Sequence, residues 1–335
     1  MEEVAGSIPV RSTKKTIWLD AFKPFLLLTN NPISSSIAYM ISSSNILCII
    51  KQGEHCMERK VALSVQGYST SDGAGVRLTR VLSNQTVKEF DPFLMLDSFD
   101  SVNPDDYKAG FPLHPHRGIE TISYIFLGQM VHQDSLGNKD SIKDGEVQWM
   151  TAGSGILHEE KLPSSKRMLG VQLWLNLPKK DKFTHPKYIS IKSGDIEEIP
   201  FPGGFLRLLA GMYKNHHGYQ SGYLPLDYYD IHLEADSELV IDASKDRTVM
   251  LFSLVGPVTI SGEQIREKTA VKLTSGDKIV IKAGQTPSQV LFLSSFPLKE
   301  PVAWGGPIVM NTRSELYQAF NELDDGTFLK EKINY

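Results

Sequence analysis

A chain of 335 residues, 41% hydrophobic and 22% charged, has an ordinary globular composition with room for one large or two modest domains. A formal net charge of -4 argues against an intrinsic nucleic-acid binder, whose domain carries a strongly basic face. The two cysteines, Cys48 and Cys56, leave everything from Met57 onward cysteine-free. That excludes a disulfide framework, an iron–sulfur cluster or a cysteine-bound zinc in the main body, and it fits a reducing, cytoplasmic setting.

The first segment differs from the rest. Pro24 to Ile50 carries no charge, but "TNNPISSSIAYMISSSN" is rich in serine and asparagine and contains Pro32, so no run of 18 mostly apolar residues exists to span a membrane. The start, "MEEVAG", is acidic, and the short apolar patch "FLLL" leads into no clear cleavage site, which fits a signal peptide poorly. The expectation is a disordered extension over residues 1–60, or translation that begins naturally at Met57.

From about residue 60 the rhythm changes. "VRLTRVL", "TISYIFL", "GVQLWLNL", "FLRLLAG", "TVMLFSLV", "VTISG", "KIVIKAG" and "QVLFLSSF" are short runs of β-branched and aromatic residues between turn formers. Many short strands predict an all-β sandwich or barrel architecture. One helix is predicted near the end, in "TRSELYQAFNELDDG". It opens with a capping box, Thr312 and Glu315, closes at Gly326, and gathers Leu316, Ala319, Phe320 and Leu323 on one face.

An internal repeat organises the strands. "GEVQWMTAG" (145–153) matches "GDKIVIKAG" (276–284), and each follows a strand that ends in glycine, Gly128 or Gly256. The chain therefore reads as two copies of one β-unit, over 61–185 and 186–335, with the boundary in the polar stretch "NLPKKDKFTHPKY" (176–188).

Two short motifs carry chemistry. "AGFPLHPHRGIE" holds His114 and His116, and "GSGILHEE" holds His158 and Glu160. On a strand, residues two apart share a face at about 6.5–7 Å. Each pair can therefore aim at one point, with Pro115 confining its strand to an edge. Two such strands in one barrel would converge three imidazoles and a carboxylate, a donor set that suits Fe(II), Mn(II), Ni(II), Cu(II) or Zn(II). Among the other candidates, Arg117 could orient an anionic substrate or form a surface ion pair, and Asp97 reads as a buried structural carboxylate. Trp149 and Met150 read as core or pocket wall, His132 as a strand residue near the barrel mouth, and His216 and His217 as loop.

His114-x-His116-x3-Glu120 followed by Gly128, then Gly155-x2-His158, resembles the two motifs of the cupin superfamily, which implies tandem cupin β-barrels of jelly-roll type. "DPFLMLDSF", "GFPLHPHRGIETISY", "VQWMTAGSGILHEE", "GVQLWLNLP" and "GPIVMNT" resemble the pirin family, two-cupin proteins, from about Val76 to about Asn311. In most cupins the Glu120-like position is the fourth ligand. The resemblance to pirins instead implies His114, His116, His158 and Glu160, with Glu120 outside the ligand set and Glu159 pointing away. It implies one divalent metal, Fe(II) first, with Mn, Ni, Cu and Zn also compatible. Counting the same offsets from Gly256 and Gly284 gives Asp242, Ser244, Gln289 and Leu291 in the second copy, so the ligands belong to the first copy alone.

Two functions follow from the resemblance. One is a quercetin 2,3-dioxygenase, which cleaves a flavonol with O2 and uses Glu160 as the base that takes the substrate proton. The other is a non-catalytic, iron-dependent redox sensor that acts on a protein partner in the nucleus. No basic localisation cluster exists, since "STKK" and "MERK" are too short, which favours a cytoplasmic enzyme with a small-molecule substrate and neither membrane nor nucleic-acid contact.

Overall fold

The computed structural model describes residues 37–41, 47–51 and 57–331. Its contacts divide the chain into two units, Met1–His55 and Cys56–Tyr335. In the first, β1 (Ile37–Ile41) and β2 (Leu47–Lys51) form an antiparallel pair. The remainder of the expected N-terminal extension up to residue 56 lies outside the described residues. Among the described residues no helix is long and apolar enough to cross a membrane.

The second unit is all-β apart from short helical segments. Its first part comprises β3 (Val61–Gln66), β4 (Tyr68–Asp72), β5 (Val76–Leu82), α1 (Val87–Phe90), β6 (Phe93–Ser101), β7 (Phe111–His116) and β8 (Ile119–Leu127). It continues through β9 (Gln129–Asp134), β10 (Lys139–Lys143), β11 (Glu146–Thr151), β12 (Ile156–Lys161), β13 (Met168–Asn176) and β14 (Lys187–Ile191). The rest comprises β15 (Glu197–Phe201), β16 (Gly204–Ala210), β17 (Met212–Tyr213), β18 (His216–His217), β19 (Leu226–Leu233), β20 (Glu238–Asp242) and β21 (Thr248–Val255). After these come β22 (Val258–Ile260), β23 (Glu263–Ile265), β24 (Thr269–Leu273), β25 (Lys278–Ala283), β26 (Ser288–Ser295), β27 (Ala303–Gly305), β28 (Ile308–Met310) and α2 (Arg313–Asp324). The β-rich runs of the sequence fall on strands, and "VRLTRVL" and "TVMLFSLV" match β5 and β21 end to end.

Each half closes a seven-stranded sheet on a four-stranded one. The large sheets run β14-β11-β8-β13-β6-β5-β4 and β3-β24-β21-β26-β19-β16-β15; the small ones run β10-β9-β12-β7 and β23-β22-β25-β20. Read in these directions the halves correspond strand for strand, so the repeat is real. The outermost strands are exchanged: β3 precedes the first barrel but pairs with β24 of the second, while β14 follows the first barrel yet pairs with β11. The two large sheets face each other across the largest apolar cluster, with Ile122, Trp149 and Leu173 from one and Tyr228, Phe252 and Leu291 from the other. Burying that double face at about 25 cal/mol per Å² is the main term that holds the halves together.

The register corrects the residue matching between copies. "GEVQWMTAG" covers β11 and "GDKIVIKAG" covers β25, which lie in different kinds of sheet. The match slips by one strand because the β22–β23 hairpin has three-residue strands where β9 and β10 have six and five. Pairing Ile260 with Ile281, and Ile241 with Ile279, puts isoleucines where the first copy has His132, Glu160, His114 and His158. The counterparts are therefore Ile241, Ala243, Ile279 and Ile281, not Asp242, Ser244, Gln289 and Leu291. The four isoleucines at these positions belong to one apolar core, against which Ala243 packs. One barrel is filled with hydrocarbon; its twin keeps polar donors at the same places.

The helix forms as its capping box requires. Glu315 donates its backbone N–H to Thr312 Oγ1 at 3.2 Å, and Glu315 Oε2 accepts from the Thr312 backbone at 2.8 Å. Leu316 and Phe320 pack with Ile308 and Met310 of β28. The C-terminal segment thereby returns to the first barrel, and Arg117 and Ile308 form a parallel bridge.

Candidate metal centre

His114 and His116 stand on β7, the edge of the small sheet, as Pro115 requires. β12 runs beside it and sets His158 directly opposite His114, then shifts register by a bulge before Glu160. Gly110 makes room for that bulge: at φ +65°, a Cβ there would sit 2.5 Å from the Glu160 carbonyl oxygen. His116, His158 and Glu160 are 2%, 0% and 1% exposed, whereas Glu159 turns outward and pairs with Lys161 at 3.1 Å. Alternation along β12 thus separates the two adjacent glutamates as the strand pattern predicts.

Hydrogen bonds fix how the imidazoles present themselves. His114 Nδ1 donates to the Pro112 carbonyl at 2.7 Å, and His116 Nδ1 donates to the Pro307 carbonyl at 2.9 Å. With the protons committed there, both Nε2 atoms carry lone pairs, and these two atoms lie 3.1 Å apart. Two bare lone pairs at that distance repel each other. Two nitrogens bound at right angles to one ion at about 2.1 Å would be about 3.0 Å apart. His158 Nε2 is buried and has no hydrogen-bond partner. The donor atoms of His114, His116 and His158 lie within 4.8 Å of one another, so this trio is able to hold a metal ion.

A second trio shares His158 and adds His132 and Glu160. Glu160 is thus grouped with His158 but not with His114 and His116. Its carboxylate is clasped by two side-chain amides: Gln148 donates to Oε1, and Gln172 donates to Oε2 at 3.0 Å. Glu120 is in neither trio. It lies on β8, in line with Ile122 and Tyr124 on the face turned to the other barrel, and accepts from Thr151 Oγ1 at 2.7 Å. Burial pushes its carboxyl up, against the hydrogen bond from Thr151.

A cavity of about 660 Å³ opens onto His114 and His116. Met95, Leu113, Trp174 and Trp304 form its apolar walls, and Arg80, Asp97 and Gln172 its polar patches. Asp97 is the buried carboxylate the sequence suggests, gripped by Arg80 Nε at 2.9 Å and by its terminal nitrogen at 2.7 Å. Trp174 meets the His116 ring edge-on at 4.9 Å. Trp149 and Met150 are core residues, and His216, in neither trio, pairs with Glu197 at 2.8 Å on a short hairpin. Arg117 neither touches a substrate site nor lies on the surface. It is 1% exposed, donates to the Ser154 and Phe328 carbonyls, and pairs with Glu322 at 2.7 Å.

Burial, with His114 alongside, pushes the His116 imidazole down to about 3, although the Pro307 carbonyl works the other way. His158 is driven well below the ordinary range by burial and by the neighbouring histidines. A histidine whose folded pKa lies below its unfolded value takes up fewer protons in the folded state, so acid favours unfolding. The metal-free protein should therefore lose stability as pH falls below about 6.5 and on through about 3, by up to ~5 kcal/mol from His116. Urea unfolding of chelator-treated protein at several pH values measures this, and His116→Gln should flatten the slope. A wild-type curve no steeper than that variant's would contradict it.

Comparison with known proteins places this architecture. The model of the pirin family matches residues 75–175, and that of the pirin C-terminal cupin domain matches residues 228–329. The chain belongs to the pirin family. A pirin-like protein of Caulobacter vibrioides is 40% identical over 274 residues, covering 81% of this chain and 99% of its own. Human pirin is 36% identical over 271 residues, covering 78% of this chain and 91% of its own. The crystal structure of a quercetin 2,3-dioxygenase from Acinetobacter baumannii superposes with a TM-score of 0.75 at 31% identity, over 81% of this chain and 99% of that one. The tandem barrels are thus the two cupins of a pirin, and the histidine cluster sits in the first.

Sequence reasoning missed the residues around the trio: His132 and Asp134, the clasp of Gln148 and Gln172, and the Pro307 carbonyl. His132-x-Asp134 has the same spacing of two as the other pairs, and that was its available signal. Pro307 falls within "GPIVMNT", but nothing local gives its carbonyl a role, because its partner His116 is 191 residues away.

Proposed function

We propose that this pirin-family chain is a quercetin 2,3-dioxygenase-type enzyme whose first barrel holds one divalent metal, Fe(II) before Mn, Ni, Cu or Zn, on His114, His116, His158 and Glu160. The observation that supports the metal site is the cluster of three imidazoles, with the Nε2 atoms of His114 and His116 3.1 Å apart and His158 Nε2 buried without a partner, beside a cavity of about 660 Å³ that His114 and His116 line. That volume suits a small molecule. The likeness to a structure named as a quercetin 2,3-dioxygenase points to a flavonol and O2 as the reactants.

A bound divalent ion would supply Lewis acidity toward a substrate hydroxyl and redox chemistry toward O2. The chain supplies the rest. Trp174, Trp304, Met95 and Leu113 offer faces for a planar aromatic ring and exclude water from it. Gln172 reaches both the cavity and the Glu160 carboxylate, so it can report substrate arrival to that group. Glu160, as base, accepts the hydroxyl proton once Gln148 and Gln172 release it. Arg80, held by Asp97, presents a fixed positive edge to the substrate's remaining oxygens.

The test loads the protein anaerobically with Fe(II), Mn(II), Ni(II) and Cu(II) in turn, then adds quercetin and air. Loss of the flavonol absorbance with release of CO is expected with at least one metal. No turnover with any of them at full occupancy would sink the dioxygenase reading.

A further inference from the structure

We propose that His132 and Asp134 are positioning residues for the metal centre, a hydrogen-bonded chain that fixes which nitrogen of His158 faces the ion. The inference rests on the reading of His158 as a ligand. Its groups lie on the far side of His158 from the cavity, on β9, and the mechanism above does not use them.

With His132 neutral, the chain has one consistent proton arrangement. Asp134 is fully buried in the β9–β10 turn. Its Oδ1 accepts from the backbone of Leu136 at 3.0 Å and of Asn138 at 3.1 Å, and its Oδ2 accepts from Asn138 Nδ2 at 2.9 Å. A carboxylate surrounded by donors is an acceptor only. The 2.9 Å contact between Asp134 Oδ2 and His132 Nε2 therefore requires a proton on that Nε2. A neutral imidazole has one N–H, so His132 Nδ1 is a lone pair. It faces His158 Nδ1 at 3.4 Å. His158 must then donate from Nδ1, which leaves its Nε2 unprotonated.

That Nε2 is the buried atom without a partner beside His114 and His116. In the opposite tautomer His158 would bury an unpaired N–H and set two Nδ1 lone pairs against each other, both unfavourable in an enclosed site. The chain is rigid. The His132 ring stacks on Tyr188 with centroids 4.2 Å apart and planes within 14°, and Tyr188 comes from β14, one of the exchanged edge strands. Metal-binding histidines usually donate their second N–H directly to a carboxylate or carbonyl. His114 and His116 use carbonyls in this way; His158 reaches its carboxylate through a second imidazole.

The alternative reading of the same atoms is an inner metal site on His132, His158 and Glu160. It is disfavoured because an ion there would take the His158 Nδ1 lone pair and leave that ring's proton on the buried Nε2, which has no acceptor.

Two measurements decide. Histidine-selective nitrogen NMR on the metal-free wild-type protein should show His158 protonated on Nδ1 and His132 on Nε2. Co(II) affinity, measured against a competing chelator, should fall about 10–100-fold in His132→Phe, which keeps the ring stack but has no nitrogen. It should stay close to wild type in His132→Gln, whose amide can both accept from His158 and donate to Asp134. The Co(II) absorption spectrum should shift in the first variant and recover in the second. Should His132→Phe fail to fold, the wild-type tautomer and the His132→Gln affinity decide alone. A wild-type His158 protonated on Nε2, wild-type affinity in a folded His132→Phe, or two Co(II) ions bound per chain would overturn the proposal. A wild-type protein that binds no Co(II) would instead overturn the reading of the centre itself, while the tautomer measurement would still judge the chain of hydrogen bonds.

Discussion

Alanine at His158 or at Glu160 is expected to weaken metal binding by more than about 100-fold, beyond the usual cost of losing an outer partner, whereas alanine at Glu120 should leave it unchanged. The contrast separates the two carboxylates that the sequence offers as fourth ligand. Glu120 sits on the face of β8 turned to the second barrel, and its hydrogen bond goes to Thr151. Glu160 shares a donor cluster with His158 and is aimed by Gln148 and Gln172. Removing it also strands two buried amides, so Glu160→Ala should lose about 1–3 kcal/mol of stability per unpaired group in the metal-free state. Titration of each apoprotein with Co(II), read as bound metal per chain, checks the affinities. If Glu120→Ala lost metal while Glu160→Ala kept it, the four-ligand assignment would be wrong.

What the sequence disclosed, and what it hid, divides along physical lines. Strand pattern, helix cap and the paired histidines are local: they need only alternation, a Thr-x-x-Glu box and spacing by two, and β5, β21 and α2 appear where those rules put them. Contacts between distant segments left no such trace. The exchange of β3 and β14 between the sheets depends on which edge is free after folding, and edge pairing has no residue code of its own. The repeat was visible, but two hairpins of different length moved the matching landmark by one strand. Only the register revealed that isoleucines fill the second barrel where histidines stand in the first. Arg117 was misread for a related reason. Its neighbour in sequence is His116, a candidate ligand, but its partners are Ser154, Glu322 and Phe328.

Replacing Arg117 with methionine should therefore be among the most damaging single changes outside the centre, costing about 1–3 kcal/mol for each of the two carbonyls, Ser154 and Phe328, left without its donor. The guanidinium lies 4.1 Å from the Phe328 ring centroid and joins the Ser154 turn to the tail of the chain, so three attachments go at once. Burial works against the Glu322 carboxylate, yet its contacts with Lys330, Arg117 and Gln318 outweigh this and hold it down at about 2. A carboxylate with a depressed folded pKa stabilises the fold above its unfolded value near 4.5 and loses that contribution as pH falls through about 2. Arg117→Met should thus be weak already at neutral pH and respond less to acid over that window than wild type does. Glu322→Gln, which keeps a hydrogen-bonding group opposite Arg117, should cost less. The effect should extend to the metal centre, because the segment that Arg117 anchors also carries Pro307, whose carbonyl orients His116, and Trp304, which walls the cavity. Urea unfolding gives the stability. Tryptophan emission and Co(II) affinity, measured on the folded fraction, show whether the C-terminal segment still reaches the first barrel. Full affinity in a destabilised Arg117→Met would mean that the clamp supports the fold alone and that His116 keeps its orientation without it.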